Sequence, residues 1–335
     1  KSILFSVLPE TQALYGFLIA ILLLVGGGLL GAVKQGISMS VGLIAIGAGL
    51  AAGLAAISAL GQGIAASSGL RETAKNPKAF GKSILFSVLP ETQALYGFLI
   101  AILLLVGGGI LGGSSASGLT SGVGLIGIGA GIAVGLAAVS AIGQGMAASS
   151  GVSATAADGK MFGKSILFSV LPETQALYGF LVAVLFMIGG GLFGAVQVGI
   201  TTPVGLIVIG ASLSVGIAGI SAIGQGIAAS SGIDAVAGDE KSFGKAILFS
   251  VLPETQALYG FLVAILLLVG GGLLGAVKQG ITLSVGLVAI GAGLAAGLAA
   301  VSALGQGFAA SAGLAATARN PKSFGKSILF SVLPE

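Results

Sequence analysis

Glu10, Glu91, Glu173, Glu254 and Glu335 each follow the same Leu-Pro pair, deep inside a long apolar stretch. A carboxylate at membrane depth costs about 2.5–3.5 kcal/mol or more, so such residues mark ion pathways, relays or counter-ion sites. One alone would read as a structural, hydrogen-bonded glutamate. Five at the same phase, with the same neighbours, read as ion-binding carboxylates.

Pro90 has no N–H to offer the carbonyl of Phe86, and its ring kinks a helix. The expectation is a set of loosened carbonyls beside the acid. Glu91, Thr92 and Gln93 advance about 100° per residue around a helix, so they face different sides. Tyr96 stands one turn beyond Thr92 on the same face. All four tyrosines, Tyr15, Tyr96, Tyr178 and Tyr259, hold this position. In a closed ring each such helix would offer its Glu to one neighbour and its Thr, Gln and Tyr to the other, and a site forms between consecutive hairpins. A second motif, Gly-Gln-Gly, places Gln62, Gln144, Gln225 and Gln306 at comparable depth in the preceding apolar stretch. A buried Gln in lipid can simply bond a neighbouring helix, but alignment with the Glu favours a ligand or an orienter. A proton site needs only a carboxylate with a raised pKa. The surplus of oxygens favours Na+. The alternative is H+, with the same groups hydrogen-bonded to a protonated Glu.

The elements that carry these residues must span a bilayer. The chain of 335 residues is 56% hydrophobic and 7% charged, whereas a soluble domain carries about 25% charged residues. Cys, His and Trp are absent, which excludes disulfides, Cys/His metal sites and His-based triads. The net charge of +4 sits in short loops without aromatic stacking positions, so nucleic acid is not an expected partner.

The chain is a tandem repeat. Lys-Ser-Ile-Leu-Phe-Ser-Val-Leu-Pro-Glu occurs at 1–10, 82–91, 164–173 and 326–335, with a close copy at 246–254, and Gly-Gln-Gly recurs in phase with it. Each repeat of about 81 residues holds two apolar spans, as in 36–68 and 80–111. About thirty helical residues cover roughly 45 Å, against a hydrocarbon core of roughly 30 Å. The first span is rich in Gly and Ala, with Gly49 and Gly53 as a small-xxx-small step beside Gly47. The second is bulkier, with Phe98, Leu99, Ile100 and Leu103 to Leu105. Small residues let helices approach closely in lipid. The expected fold is therefore all-α and transmembrane: tandem two-helix hairpins forming part of a two-layer ring, small helices inside and bulky ones outside. Residues 1–33 form a second helix, 34–112, 113–195 and 196–277 are hairpins, and 278–335 hold a first helix and the start of a second. The chain opens without Met and ends at Glu335 inside an expected helix, which reads as a segment of a longer chain or a chain of unsettled boundaries. Lys1 to Glu10 thus open on the same motif that closes the sequence.

The loops after Gly-Gln-Gly hold Arg71, Lys75, Lys78, Lys160, Lys241, Arg319 and Lys322, followed by Lys82, Lys164, Lys245 and Lys326; the opposite connections hold Lys34 and Lys278. The positive-inside rule puts the Gly-Gln-Gly side in the cytoplasm of a multi-pass cell-membrane protein.

The segment Leu-Pro-Glu-Thr-Gln-Ala-Leu-Tyr-Gly-Phe, the Gly-Gln-Gly stretch and the Gly-rich first helix together resemble the proteolipid (c or K) component of archaeal A-type and V-type rotary ATP synthases, over essentially every repeat. The resemblance implies a membrane rotor ring made of further copies or repeats, a stator subunit with a basic residue, central-stalk subunits and surrounding lipid. Sodium-carrying members take Glu and Gln from one hairpin, Leu, Thr and Gln from the preceding one, and a Tyr from the preceding hairpin that bonds the Glu. This implies one site of Glu91 and Gln62 with the Leu8 carbonyl, Thr11, Gln12 and Tyr15. The next is Glu173 and Gln144 with Leu89, Thr92, Gln93 and Tyr96. Then come Glu254 and Gln225 with Leu171, Thr174, Gln175 and Tyr178, and Glu335 and Gln306 with Leu252, Thr255, Gln256 and Tyr259. Glu10 lacks a preceding partner in this sequence. The implied cargo is Na+, with H+ as the alternative, and no organic cofactor is expected. Relatives specialised for pumping often lack the carboxylate in alternate hairpins. Here none is missing, which suits synthesis, because more charges per turn lower the force needed per ATP. No Gly-x-x-x-x-Gly-Lys-[Ser/Thr] occurs, so a coupling role is expected and no catalysis. A cation channel lined by a Glu ring is the rival; the Gly, Ala and aliphatic faces of the first helices argue against it.

Overall fold

The computed structural model describes residues 2–31, 37–112, 118–194 and 199–335. Lys1 and Lys34, and the hairpin boundaries expected at 33–34, 113 and 195–196, lie outside or at the margin of the described residues, as does Gly36. Eight apolar helices are long enough to cross a membrane: α1 (Ile3–Gly26), α2 (Met39–Lys75), α3 (Pro77–Gly107), α4 (Ser121–Ala157), α5 (Gly159–Gly189), α6 (Thr202–Gly238), α7 (Glu240–Gly271) and α8 (Leu283–Arg319). A ninth, α9 (Phe324–Val332), begins the next bulky helix. No strand occurs among the described residues.

The Gly-rich helices α2, α4, α6 and α8 pack in sequence on one another, and the bulky helices α3, α5 and α7 each pack against the Gly-rich helix that precedes them. The two layers follow from side-chain size. A Cβ on Gly61 would overlap the carbonyl oxygen of Ala141, one on Gly143 that of Ala222, and one on Gly224 that of Ala303. Only glycine permits that approach. Gly49 and Gly53 do not carry it here, since nothing lies within 4 Å of a Cβ at either. They face the side on which no earlier Gly-rich helix of this sequence stands. Their counterparts Gly131 and Gly135 do pack, against the Gly47 backbone and, at 2.7 Å, the Leu54 Cβ.

The Gly-rich helices run further than their apolar spans suggest. α2 continues through Lys75, so Arg71 and Lys75 form its last turns and not a loop, where cations complement the helix dipole. Asn76 stops it, and its side chain accepts from the Lys78 N–H at 3.1 Å. Asp158, Asp239 and Asn320 close the other three turns in the same way. The bulky helix then ends at Gly107, short of the Leu111 expected from hydropathy.

Both helices of a hairpin are interrupted at the depth of the polar motifs. In α3 a 3-10 turn over Leu89–Glu91 separates Phe80–Val88 from Thr92–Gly107. The cause is Pro90. The Phe86 carbonyl is not left free, however: the tighter winding lets it accept from the Leu89 N–H. In α2 the winding tightens between Ala55 and Ser58, with Ile57 N–H bonded to Leu54 O at 3.1 Å, one turn before Gln62. Apolar clusters lie on either side of this belt. One is built around Ile44, Leu104, Ile126, Phe186 and Val208, the others around Phe86 and around Phe168 and Phe249.

Candidate ion-binding site

Each polar belt is assembled from three helices. Gln144 comes from α4, Glu173 from α5, and Leu89, Thr92, Gln93 and Tyr96 from α3 of the preceding hairpin. Gln144 donates from Nε2 to Glu173 Oε2 at 2.9 Å and accepts at Oε1 from Gln93 Nε2 at 2.8 Å. Tyr96 O–H donates to the other carboxylate oxygen of Glu173 at 2.7 Å. Thr92 Oγ1 lies 3.0 Å from Leu89 O and 3.1 Å from Gln93 Oε1.

The same network recurs one hairpin earlier and one later. Gln62 bonds Glu91 at 3.1 Å and Gln12 at 2.6 Å, Tyr15 bonds Glu91 at 2.7 Å, and Thr11 lies beside Leu8 O and Gln12. Gln225 bonds Glu254 at 3.2 Å and Gln175 at 2.8 Å, Tyr178 bonds Glu254 at 2.6 Å, and Thr174 lies beside Leu171 O and Gln175. In the fourth set, Tyr259 reaches Glu335 at 2.5 Å, Gln256 reaches Gln306 at 2.9 Å, and Thr255 lies beside Leu252 O and Gln256. Gln306 Nε2 makes no hydrogen bond there among the described residues, and Glu335 is exposed. Glu10 is exposed as well.

Glu91, Glu173 and Glu254 are half-buried, while the amides around them are buried. None of the five glutamates pairs with a Lys or Arg among the described residues. Nor is there a cluster of three His, Cys, Asp or Glu among them. Each site therefore holds one carboxyl group, ringed by neutral polar side chains. The Thr92 hydroxyl has a single proton to donate, yet three oxygens, Leu89 O, Thr92 Oγ1 and Gln93 Oε1, converge on it; Leu89 O also accepts from the Thr92 N–H. The carbonyl turned toward the site is that of Leu89, not the Phe86 carbonyl that proline geometry alone points to.

Spacing alone does not single out the phenylalanine two turns beyond each Glu. Phe98, Phe180 and Phe261 pack on Tyr15, Tyr96 and Tyr178, with ring centroids 5.2, 5.3 and 5.2 Å apart. A signal for it was present, since this Phe closes every full copy of the Leu-Pro-Glu-Thr-Gln-Ala-Leu-Tyr-Gly-Phe segment.

The repeat matches a known family, that of the ATP synthase C subunit, at residues 46–104, 128–186, 209–267 and 290–335. The chain belongs to the ATP synthase C-subunit family. It is 46% identical over 227 residues to the A-type ATP synthase subunit K of Methanocaldococcus jannaschii, covering 67% of this chain and 94% of that relative. It is 36% identical over 130 residues to the V-type sodium ATPase subunit K of Enterococcus hirae, covering 38% of this chain and 79% of the relative. To the V-type proton ATPase 16 kDa proteolipid of Bos taurus it is 33% identical over 105 residues, covering 31% and 64% respectively. This C-subunit proteolipid is thus a multi-pass membrane protein and a rotor-ring component of an A/V-type ATP synthase.

Proposed function

We propose that each hairpin carries one Na+ on its glutamate, at the interface with the preceding hairpin, and that ring rotation couples this transport to ATP synthesis or hydrolysis. The observation that carries the reading is the convergence of Leu89 O, Thr92 Oγ1 and Gln93 Oε1, with one hydroxyl proton between them, beside a single carboxyl group. Oxygens crowded around one proton repel, and a hard cation among them relieves that repulsion. One negative charge per site matches a monovalent ion. The carboxylate and its ligands would be Glu91, Glu173, Glu254 and Glu335 with the partners named above, and Glu10 would complete a site with a hairpin preceding it. The sodium-named relative is similar over more of the chain than the proton-named one, which supports the same ion.

In this mechanism each Glu stays neutralised while it faces lipid, since an uncompensated charge there costs several kcal/mol. Gln144 and Tyr96 hold the two Glu173 oxygens with N–H and O–H donors, which fixes the orientation of the acid beside the converging oxygens. At the stator, a basic residue displaces the ion, and half-channels on the two sides exchange it. The Gly-Gln-Gly side, with Lys78, Lys160, Lys241 and Lys322, faces the cytoplasm and a central stalk. A membrane voltage works on each carried charge with about 2.3 kcal/mol per 100 mV, so a carboxylate on every hairpin suits synthesis. The hairpins in this reading run 34–112, 113–195 and 196–277.

The test is carbodiimide labelling of the purified ring at fixed pH across a Na+ titration, with the modified glutamates identified by peptide mass spectrometry. Protection of Glu91, Glu173 and Glu254 by Na+ is expected. Labelling that is indifferent to Na+ and follows pH alone assigns the sites to H+.

A further inference from the structure

Tyr96 is held at two points by one helix of the next hairpin. Its hydroxyl donates to Glu173 at 2.7 Å. Its ring lies against Phe180, with centroids 5.3 Å apart and planes 35° from parallel. Phe180 stands about two turns beyond Glu173, so both side chains project from the same face of α5. Tyr15 is held likewise by Glu91 and Phe98 of α3, and Tyr178 by Glu254 and Phe261 of α7.

Two contacts from one rigid helix fix an aromatic side chain with only two rotatable bonds. To leave the carboxylate, the tyrosine must also slide off the phenylalanine. In the three complete pairs both rings are half-buried.

We infer that Phe98, Phe180 and Phe261 are positioning residues: each seats the tyrosine of the preceding hairpin over its own hairpin's carboxylate, and so sets how tightly the bound ion is retained. The inference rests on the ion-binding reading above. The phenylalanine touches neither ion nor carboxylate and acts through the tyrosine. Plain layer packing would affect ring stability without passing through the tyrosine hydroxyl, and that difference separates the two roles.

The experiment uses the intact ring with Phe180→Leu, Phe180→Tyr, Tyr96→Phe and the double variant Phe180→Leu/Tyr96→Phe. Phe162→Leu is the control, since Phe162 makes an edge contact with Phe86 near the helix start, 5.7 Å between centroids, away from the belt. The readout is the Na+ concentration that half-protects Glu173 from carbodiimide, with Glu91 and Glu254 of the same chain as internal references. An aromatic pair contributes enough for a roughly 2- to 10-fold effect. Phe180→Leu is expected to raise the half-protecting concentration at Glu173 by about that factor, and Phe180→Tyr to restore it. In the Tyr96→Phe background, Phe180→Leu is expected to add nothing, because the hydroxyl it positions is gone.

The inference is overturned if Phe180→Leu leaves Glu173 unchanged, if its effect persists undiminished in the Tyr96→Phe background, or if Phe162→Leu raises the half-protecting concentration at Glu173 equally. Should the leucine ring not assemble, Phe180→Met serves as the bulky, non-aromatic replacement. If Na+ fails to protect the wild-type ring, the sodium reading falls by itself. The pH of half-labelling then becomes the readout. A shift in Phe180→Leu that vanishes without the Tyr96 hydroxyl supports the positioning role, and no shift overturns it.

Discussion

Replacing Gln144 by Leu isolates the contribution of one amide to one site. Gln144 is fully buried, donates to Glu173 Oε2 at 2.9 Å and accepts from Gln93 at 2.8 Å. Leucine fills much of the same space and removes both bonds. The free energies separate into two parts. Gln93 Nε2 loses its acceptor in the ion-free and ion-filled site alike, which costs the ring about 1–3 kcal/mol of stability but largely cancels from affinity. The bond to Glu173 does not cancel. With the ion bound the acid is a carboxylate, and a hydrogen bond to a charged group contributes about 1.5–3 kcal/mol; with the proton bound it is neutral, and the bond contributes about 0.5–1.5 kcal/mol. The difference, about 1–1.5 kcal/mol, approaches a factor of ten, and the lost Oε1 ligand adds to it. The Na+ concentration that half-protects Glu173 from carbodiimide should therefore rise at least about tenfold, while Glu91 and Glu254, which share no ligand with that site, stay put. An unchanged Glu173, or equal shifts at all three glutamates, would refute the reasoning.

Three other outcomes follow from the same geometry. Glu173→Gln removes the only carboxyl group of its site, so gradient-driven ATP formation by the complex in sealed vesicles should fall to background, and retention of activity would show that one hairpin without a carboxyl group can pass the stator. Gly143→Ala puts a methyl group into the Ala222 carbonyl and should destabilise the ring by about 1–3 kcal/mol, read as a lower melting temperature; Gly163→Ala, with nothing within 4 Å, should be neutral or gain up to about 1 kcal/mol of helix propensity. The chain contains no cysteine, so Lys78→Cys and Lys278→Cys give unambiguous sidedness with an impermeant maleimide. Lys78→Cys should react from the cytoplasmic face and Lys278→Cys from the opposite one, and the reverse pattern would invert the assigned topology.

Hydrophobic content and the spacing of Leu-Pro-Glu and Gly-Gln-Gly determined, without any coordinates, that the chain crosses a membrane repeatedly and brings one acid and one amide to the same depth in each repeat. Those properties are local: transfer into lipid is summed residue by residue along the chain, and depth follows from rise per residue. The helix ends were less legible. Arg71 and Lys75 look like loop residues by composition, but Asn76 is what stops α2, and a cap acts through backbone bonds that hydropathy does not register. Pro90 announces a break in its helix but not the consequence of that break, because the 3-10 winding passes the Phe86 carbonyl to Leu89. Which atoms meet across the hairpins was decided by tertiary structure. The Glu173 oxygens divide between Gln144 of their own hairpin and Tyr96 of the preceding one, and Phe180 lies on Tyr96. Those pairings depend on how each helix is rotated about its axis and which neighbour it faces. That rotation is set by the glycine contacts between the inner helices, such as Gly143 on Ala222, which join residues a whole repeat apart, and periodicity along one helix carries no record of them.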